Sequence, residues 1–159
     1  KLLDSIIQLL IPYGKVYISS ERPIPKKYHK LILSINPNLI HQAMYYSDLF
    51  ISDSQSMTIE CCILGTPSIR YNDFIGRISV LEELQYKYKL TFGISPDKPD
   101  ELLNTIEELA KFPNIKNEWR KRKEKMLKNM VDVTSFITDV IENFPSKIKQ
   151  SDEIHKNSK

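Results

Sequence analysis

Asp53 to Glu60 reads Asp-Ser-Gln-Ser-Met-Thr-Ile-Glu and follows a short apolar run, Leu49 to Ser52. Read as strand, loop and helix, this segment sets small polar side chains where the first N–H groups of a helix lack partners. A helix start with free donors and a favourable dipole attracts an anion, and Ser and Thr hydroxyls add further donors. The expected ligand is a phosphate or pyrophosphate at Ser54, Gln55, Ser56 and Met57. The same residue types also make plain N-caps, in which Asp53, Ser54 or Ser56 closes the helix and binds nothing. Glu60 lies one turn beyond Ser56, so both are expected to face a crevice while Ile59 and Ile63 pack inward. A carboxylate repels phosphate, and its natural partners are the two hydroxyls of a ribose. Phosphate and ribose one turn apart have the dimensions of a nucleoside diphosphate. The alternative for Glu60 is a capping box with Ser56 or Met57.

The surrounding chain predicts the elements that position this segment. Leu2, Leu3, Ile6, Ile7, Leu9 and Leu10 recur at helical spacing up to Pro12. Lys15 to Ser19 and Leu31 to Ile35 read as short strands, separated by a loop that Pro23 and Pro25 keep irregular. Pro37 opens a helix through His41 to Tyr46, and Leu49 to Ser52 is a buried strand. Ser56 to Leu64 is a helix ended by Gly65, and Pro67 to Tyr71 the next strand. Helices follow over Val80 to Tyr88, Glu101 to Lys111, Asn117 to Asn129 and Thr134 to Asn143, with a short edge strand at Leu90 to Phe92. From Ser146 the composition turns polar and aperiodic, so residues 146–159 are expected to be a disordered tail after one domain, 1–145. Strands alternating with helices imply an α/β, Rossmann-like three-layer α/β/α domain with a mostly parallel sheet. In such sheets ligands bind beyond the carboxyl ends of the strands.

Composition narrows the function classes. The 159 residues are 41% hydrophobic and 27% charged with net charge +3, which suits a globular domain and singles out no polyanion as partner. Lys116 to Lys128 is nonetheless strongly basic, either a solvated helix face or a surface for nucleic acid or anionic membrane. The adjacent Cys61 and Cys62 suit two buried thiols in a reducing cytoplasm better than a disulfide or a zinc site. No secretory signal or membrane-spanning run is read. The chain opens on Lys1 in an amphipathic stretch, which suggests a piece of a longer protein.

The segment Asp53 to Pro67 resembles the donor-binding segment of GT-B enzymes and is similar to that of UDP-N-acetylglucosamine 2-epimerases. The matching residues are Asp53, Ser54, Glu60, Leu64, Gly65 and Pro67. Gln55 and Ser56 stand where that family has two glycines, placing side chains where phosphate approaches. His41 to Arg77 looks closer still to the domain-of-unknown-function 354 family of GT-B-like proteins, a likeness covering about Lys15 to Leu109. The resemblance implies the C-terminal half of a GT-B fold, with a UDP-linked or similar nucleotide-sugar as substrate and no metal or other cofactor. Ser54 and Ser56 would hold the pyrophosphate, Gln55 would lie beside them, and Glu60 would bind ribose. His41 would help frame the base, or be merely structural. Arg70 and Asn72, at the next strand end, would face the same crevice; Arg70 would meet a phosphate or the sugar, or else pair with Asp53 or Asp73. Gly76 and Arg77 would close a loop over the donor. The expected activity is glycosyl transfer in polysaccharide or glycoconjugate synthesis, with the acceptor site on an N-terminal domain that this chain lacks. The chain alone would be inactive; it would be cytoplasmic, peripheral to the membrane where the acceptor is membrane-linked, and would not bind nucleic acid. The rival functions are a UDP-sugar 2-epimerase and a non-catalytic module that docks through the basic helix.

Overall fold

The computed structural model describes residues 1–144, so the expected tail at 146–159 lies outside the described residues. Two compact units divide the chain, Lys1–Met126 and Leu127–Lys159. The first unit carries the sheet.

Helix α1 (Leu2–Leu10) leads through a turn to a 3-10 helix at Lys26–Leu31. A second 3-10 turn, Pro37–Leu39, runs into α2 (Ile40–Tyr46); Asn36 caps the turn by accepting from the Asn38 N–H. Then come β1 (Phe50–Ser52), α3 (Gln55–Leu64), β2 (Ser68–Tyr71), α4 (Ser79–Glu82) with a π-helical turn at Glu83–Lys87, and β3 (Thr91–Ile94). Helices α5 (Pro99–Ala110) and α6 (Ile115–Lys128) follow, and α7 (Val133–Glu142) lies in the second unit.

The sheet is parallel throughout, in the order β1-β2-β3, so the expected α/β, Rossmann-like architecture is the one found. Its register lines up Ser52, Arg70 and Gly93 across the three strands, and Ile51, Ile69 and Phe92 across the next row. Alternation puts these two rows on opposite faces. Phe92 meets Trp119 of α6, which also contacts Phe112 just after α5, and α1 packs on α5. The other row lies near Cys62 of α3 and Gln85 of the π-turn. Ile69, Leu81, Leu84, Leu90, Leu102, Ile106, Trp119 and Met126 are all buried in one core cluster. Each such side chain contributes roughly 1.5–3 kcal/mol of transfer free energy.

Three local expectations need correcting. The strands read at Lys15 to Ser19 and Leu31 to Ile35 shrink to a single parallel bridge, Ile18 to Ile32. The 3-10 helix takes Leu31, and Tyr17 and Ile32 stay exposed, so too little apolar surface is buried there to extend a ladder. The helix read as Val80 to Tyr88 widens into a π-turn, where the Tyr88 N–H reaches back five residues to the Glu83 carbonyl. Ile63 does not pack inward with Ile59; it is 50% exposed, and Thr58, Cys61 and Cys62 form the buried face of α3.

Gly65 ends α3 in the left-handed conformation at φ 79°, with the Arg120 and Lys123 side of α6 close by. A Cβ there would lie 3.3 Å from Lys123 Cδ. Gly65→Ala is expected to lower stability by about 1–2 kcal/mol, the cost of forcing an L-residue into that region. Urea unfolding tests it: the midpoint should fall with an unchanged slope, and an unshifted midpoint would refute it.

Asp4 ties α1 to the 3-10 helix, accepting from Lys27 Nζ at 2.7 Å and Tyr28 Oη at 2.8 Å. Those two hydrogen bonds hold its carboxyl at about 2, well below the usual carboxylate range. A depressed folded-state pKa adds stability above the unfolded value that is lost as pH falls through the folded one. The stability gap between wild type and Asp4→Asn should therefore persist at neutral pH and close between about pH 4 and pH 2. A gap independent of pH in acid titrations would contradict this.

Candidate functional site

At the carboxyl end of β1 the chain turns twice on serine side chains. Ser52 Oγ accepts from the Ser54 N–H at 2.9 Å, and Ser54 Oγ caps α3 by accepting from the Met57 N–H at 3.3 Å. The Ser54 carbonyl accepts from both the N–H and the hydroxyl of Thr58. Capping is thus real here, and Ser54 supplies it. It uses the Met57 and Thr58 donors and leaves the N–H groups of Gln55 and Ser56 for an incoming acceptor. The Ser54 and Ser56 hydroxyls stand 3.3 Å apart at that opening.

One turn along α3, Glu60 is 41% exposed, and its Oε2 lies 3.3 Å from Nε2 of His41. Glu60 and Ser56 share a face of α3, roughly 6 Å apart along its axis. His41 reaches this pair from α2, which packs on α3 and is tied to its end by the Thr66 hydroxyl donating to the Met44 carbonyl. Glu60 makes no capping-box contact with Ser56 or Met57 among the described residues; His41 is its partner. Asn72, just past β2, donates from Nδ2 to the Asp53 carbonyl at 2.7 Å and joins the loops after β1 and β2. Ser54, Gln55, Ser56 and Met57 thus form the cap and first turn of α3, Asn72 is tied to the loop just before it, and Glu60 meets His41 one turn further along.

Arg70 does not join them at the surface. Its side chain is 1% exposed and runs over β3, where a Cβ on Gly93 would lie 2.8 Å from Nη2. Its charged partner is neither Asp53 nor Asp73 but Glu82 of α4, with Nη2 to Oε1 at 3.7 Å. Nε, Nη1 and Nη2 have no hydrogen-bond acceptor among the described residues. Burial pushes the guanidinium pKa down, opposed by Glu82 and Cys62. Glu82 Oε1 also accepts from the Gly76 N–H at 3.1 Å, so the loop after β2 is held at both Asn72 and Gly76. Gly76 takes a positive φ of 76° in this loop.

No protein-family model matches this chain, and no curated protein matches it either.

The remaining chemistry-bearing groups fall away from the site. Cys61 and Cys62 are free and buried. Burial pushes the Cys62 thiol up to about 12 and the Cys61 thiol higher, so neither is a nucleophile near neutral pH. Part of the basic helix faces inward: Lys116 donates to the Tyr46 carbonyl and pairs with Asp48, and Arg120 lies over the Tyr45 ring. Arg122 pairs with Glu118 and covers Trp119. Lys121, Lys123, Lys125 and Lys128 are the cations of α6 without polar partners among the described residues. No helix among the described residues is long and apolar enough to cross a membrane.

Sequence reasoning passed over Glu82, Gln85 and Gly93, the residues that surround the Arg70 guanidinium. The signal available was Gly93 itself, a glycine inside a strand, which marks close approach by another group. Removing one partner of a buried ion pair leaves an uncompensated charge. Glu82→Ala should cost about 2–4 kcal/mol, and adding Arg70→Met should restore most of it. Equal stabilities for Glu82→Ala and wild type in chemical denaturation would sink this account.

Proposed function

We propose that this chain binds a nucleoside-diphosphate sugar at the carboxyl end of β1 and serves as the donor half of a glycosyltransferase. The diphosphate sits on the Gln55 and Ser56 N–H groups and the Ser54 and Ser56 hydroxyls. There the α3 dipole stabilises negative charge as the leaving group departs. The ribose hydroxyls donate to Glu60, which His41 orients. Gln55 and Asn72 line the approach, and the acceptor with its general base comes from outside this chain. The observation that supports the reading most is the Glu60–His41 contact, one turn behind an open helix start with two hydroxyls. Arg70 has a positioning role here: it holds Glu82 and thereby the loop that carries Asn72. Docking through the basic helix is less favoured, because Lys116, Arg120 and Arg122 are engaged within the fold.

Calorimetric titration of UDP, GDP, CMP and ADP into this chain tests the proposal. One of them should bind, and Glu60→Ala should weaken it by about 1–3 kcal/mol, the loss of hydrogen bonds to a charged group. Equal affinity in the variant, or no binding by any of the four, would falsify the donor site.

A further inference from the structure

The two edges of the sheet are finished differently. On the β3 edge the Gly93 N–H points away from β2, and the Gln85 side chain accepts from it at 2.8 Å. The β1 edge has no such closure. The Phe50 N–H donates to the Pro67 carbonyl, so Phe50 and Ser52 turn their polar backbone groups towards β2. Alternation then points the N–H and carbonyl of Ile51 outward. No backbone hydrogen bond among the described residues engages them there. Leu49, Phe50 and Ile51 also put neither a charge nor a proline on that edge, the usual guards of an exposed strand.

A separate fragment of parallel sheet precedes β1 in the chain. Ile18 pairs with Ile32 by donating to the Leu31 carbonyl and accepting from the Leu33 N–H. Those bonds use one side of the segment. The backbone groups of Tyr17 and Ser19 point to the other side and meet no backbone partner among the described residues. Handedness decides where this pair belongs. Helix α2 leads from Ile32 to β1, α3 leads from β1 to β2, and the two pack together on one face. Right-handed crossovers on one face advance in one direction, so the Ile18–Ile32 pair falls beyond β1, away from β2. Helix α1, ahead of Ile18, packs instead on α5, on the face of Phe92 and Trp119. A crossover there advances the other way, so a strand leading into α1 belongs between Ile18 and β1. That is the place of the first strand in a doubly wound sheet, with Ile18 second, Ile32 third, and β1, β2 and β3 fourth to sixth.

We infer that an extended peptide segment from outside residues 1–159 docks in this place as a parallel strand. It bonds to Ile51 on one side and to Tyr17 and Ser19 on the other. Helices cover both faces there, α2 and α3 on one and α1 on the other. The segment is therefore apolar at successive positions and rich in β-branched residues, as a strand buried on both faces must be. Residues 146–159 do not supply it, since Ile148 and Ile154 are their only aliphatic residues. Its carboxyl end reaches the crevice at the start of α3, where sheets of this kind bind ligands. The docking itself does not rest on the donor reading.

The probe is the peptide Lys-Val-Ile-Val-Ile-Thr-Lys, joined ahead of Lys1 of the full chain through a short Gly-Ser linker. Joining gives it an effective concentration of roughly millimolar, so modest affinity is enough to fill the place. Amide hydrogen exchange, resolved by residue with NMR, is the measurement. In the chain alone the Tyr17, Ser19 and Ile51 amides should exchange at close to open-chain rates. With the peptide joined, all three should slow by about tenfold or more, while Gly93, already bonded to Gln85, stays as it was. The same fusion with proline at the centre of the peptide lacks a ladder donor and should protect none of them. A peptide that settles on the exposed apolar face of α7 instead leaves Ile51 unprotected. Unchanged exchange at Ile51 in the fusion, or equal protection by the proline form, would overturn the inference. So would an Ile51 amide already protected in the chain alone, with the chain sedimenting as a dimer.

Discussion

A guanidinium is sealed beneath two helices on the middle strand of this sheet, and much of the local geometry follows from accommodating it. Arg70 points to the face that α3 and α4 cover, so it cannot reach water and must lie along the sheet. Lying there requires that the neighbouring residue on β3 have no side chain. A Cβ on Gly93 would meet Arg70 Nη2, Ile75 Cδ1 and Gln85 Oε1, each at under 3 Å. A charge so placed needs an opposite charge nearby, and Glu82 of α4 supplies it at 3.7 Å. The same carboxylate takes the Gly76 N–H, so charge compensation also fixes the loop after β2. That loop returns through Asn72 to the backbone of Asp53, at the threshold of α3. A buried ion pair thus reaches the surface site through backbone it pins.

The two faces of the sheet solve different problems. Under α3 and α4 the strands present Phe50, Ser52, Ser68, Arg70, Thr91 and Gly93, all but Phe50 small or polar; Thr91, for example, donates to the Ser68 carbonyl. On the other face Ile69 and Phe92 meet an aromatic and aliphatic layer anchored by Trp119. The outer edge of β3 is not left open: Gln85 accepts from the Gly93 N–H at 2.8 Å, which occupies a donor that another strand would otherwise use. The π-turn belongs to the same solution. It lets Leu84 and Tyr88 stay buried while Gln85 reaches that edge.

How much of this was legible depended on how local the cause was. The helix from Ser56 to Leu64 and its Gly65 end were readable because cap, periodicity and left-handed terminator lie within a dozen residues; Ser54 as cap and φ 79° at Gly65 are the outcome. The buried thiols followed from their place in an apolar helix. The strands at Lys15 to Ser19 and Leu31 to Ile35 were misread because β-rich composition says nothing about whether a neighbour will cover them. The ion-pair partner of Arg70 was looked for in Asp53 or Asp73, on the loops beyond β1 and β2, when the buried guanidinium instead lies over β3 and reaches Glu82.

By itself the sequence determined the order of helices and strands from β1 onward, the parallel α/β class and the serine-rich helix start, since periodicity and capping are short-range. Only the tertiary structure decided which groups meet: His41 with Glu60, Arg70 with Glu82 over Gly93, and the Arg122 side chain with the Lys89 carbonyl beside Trp119. Each of those meetings brings together residues on different elements, and packing the sheet between its helices selects them. No spacing along the chain encodes that distance.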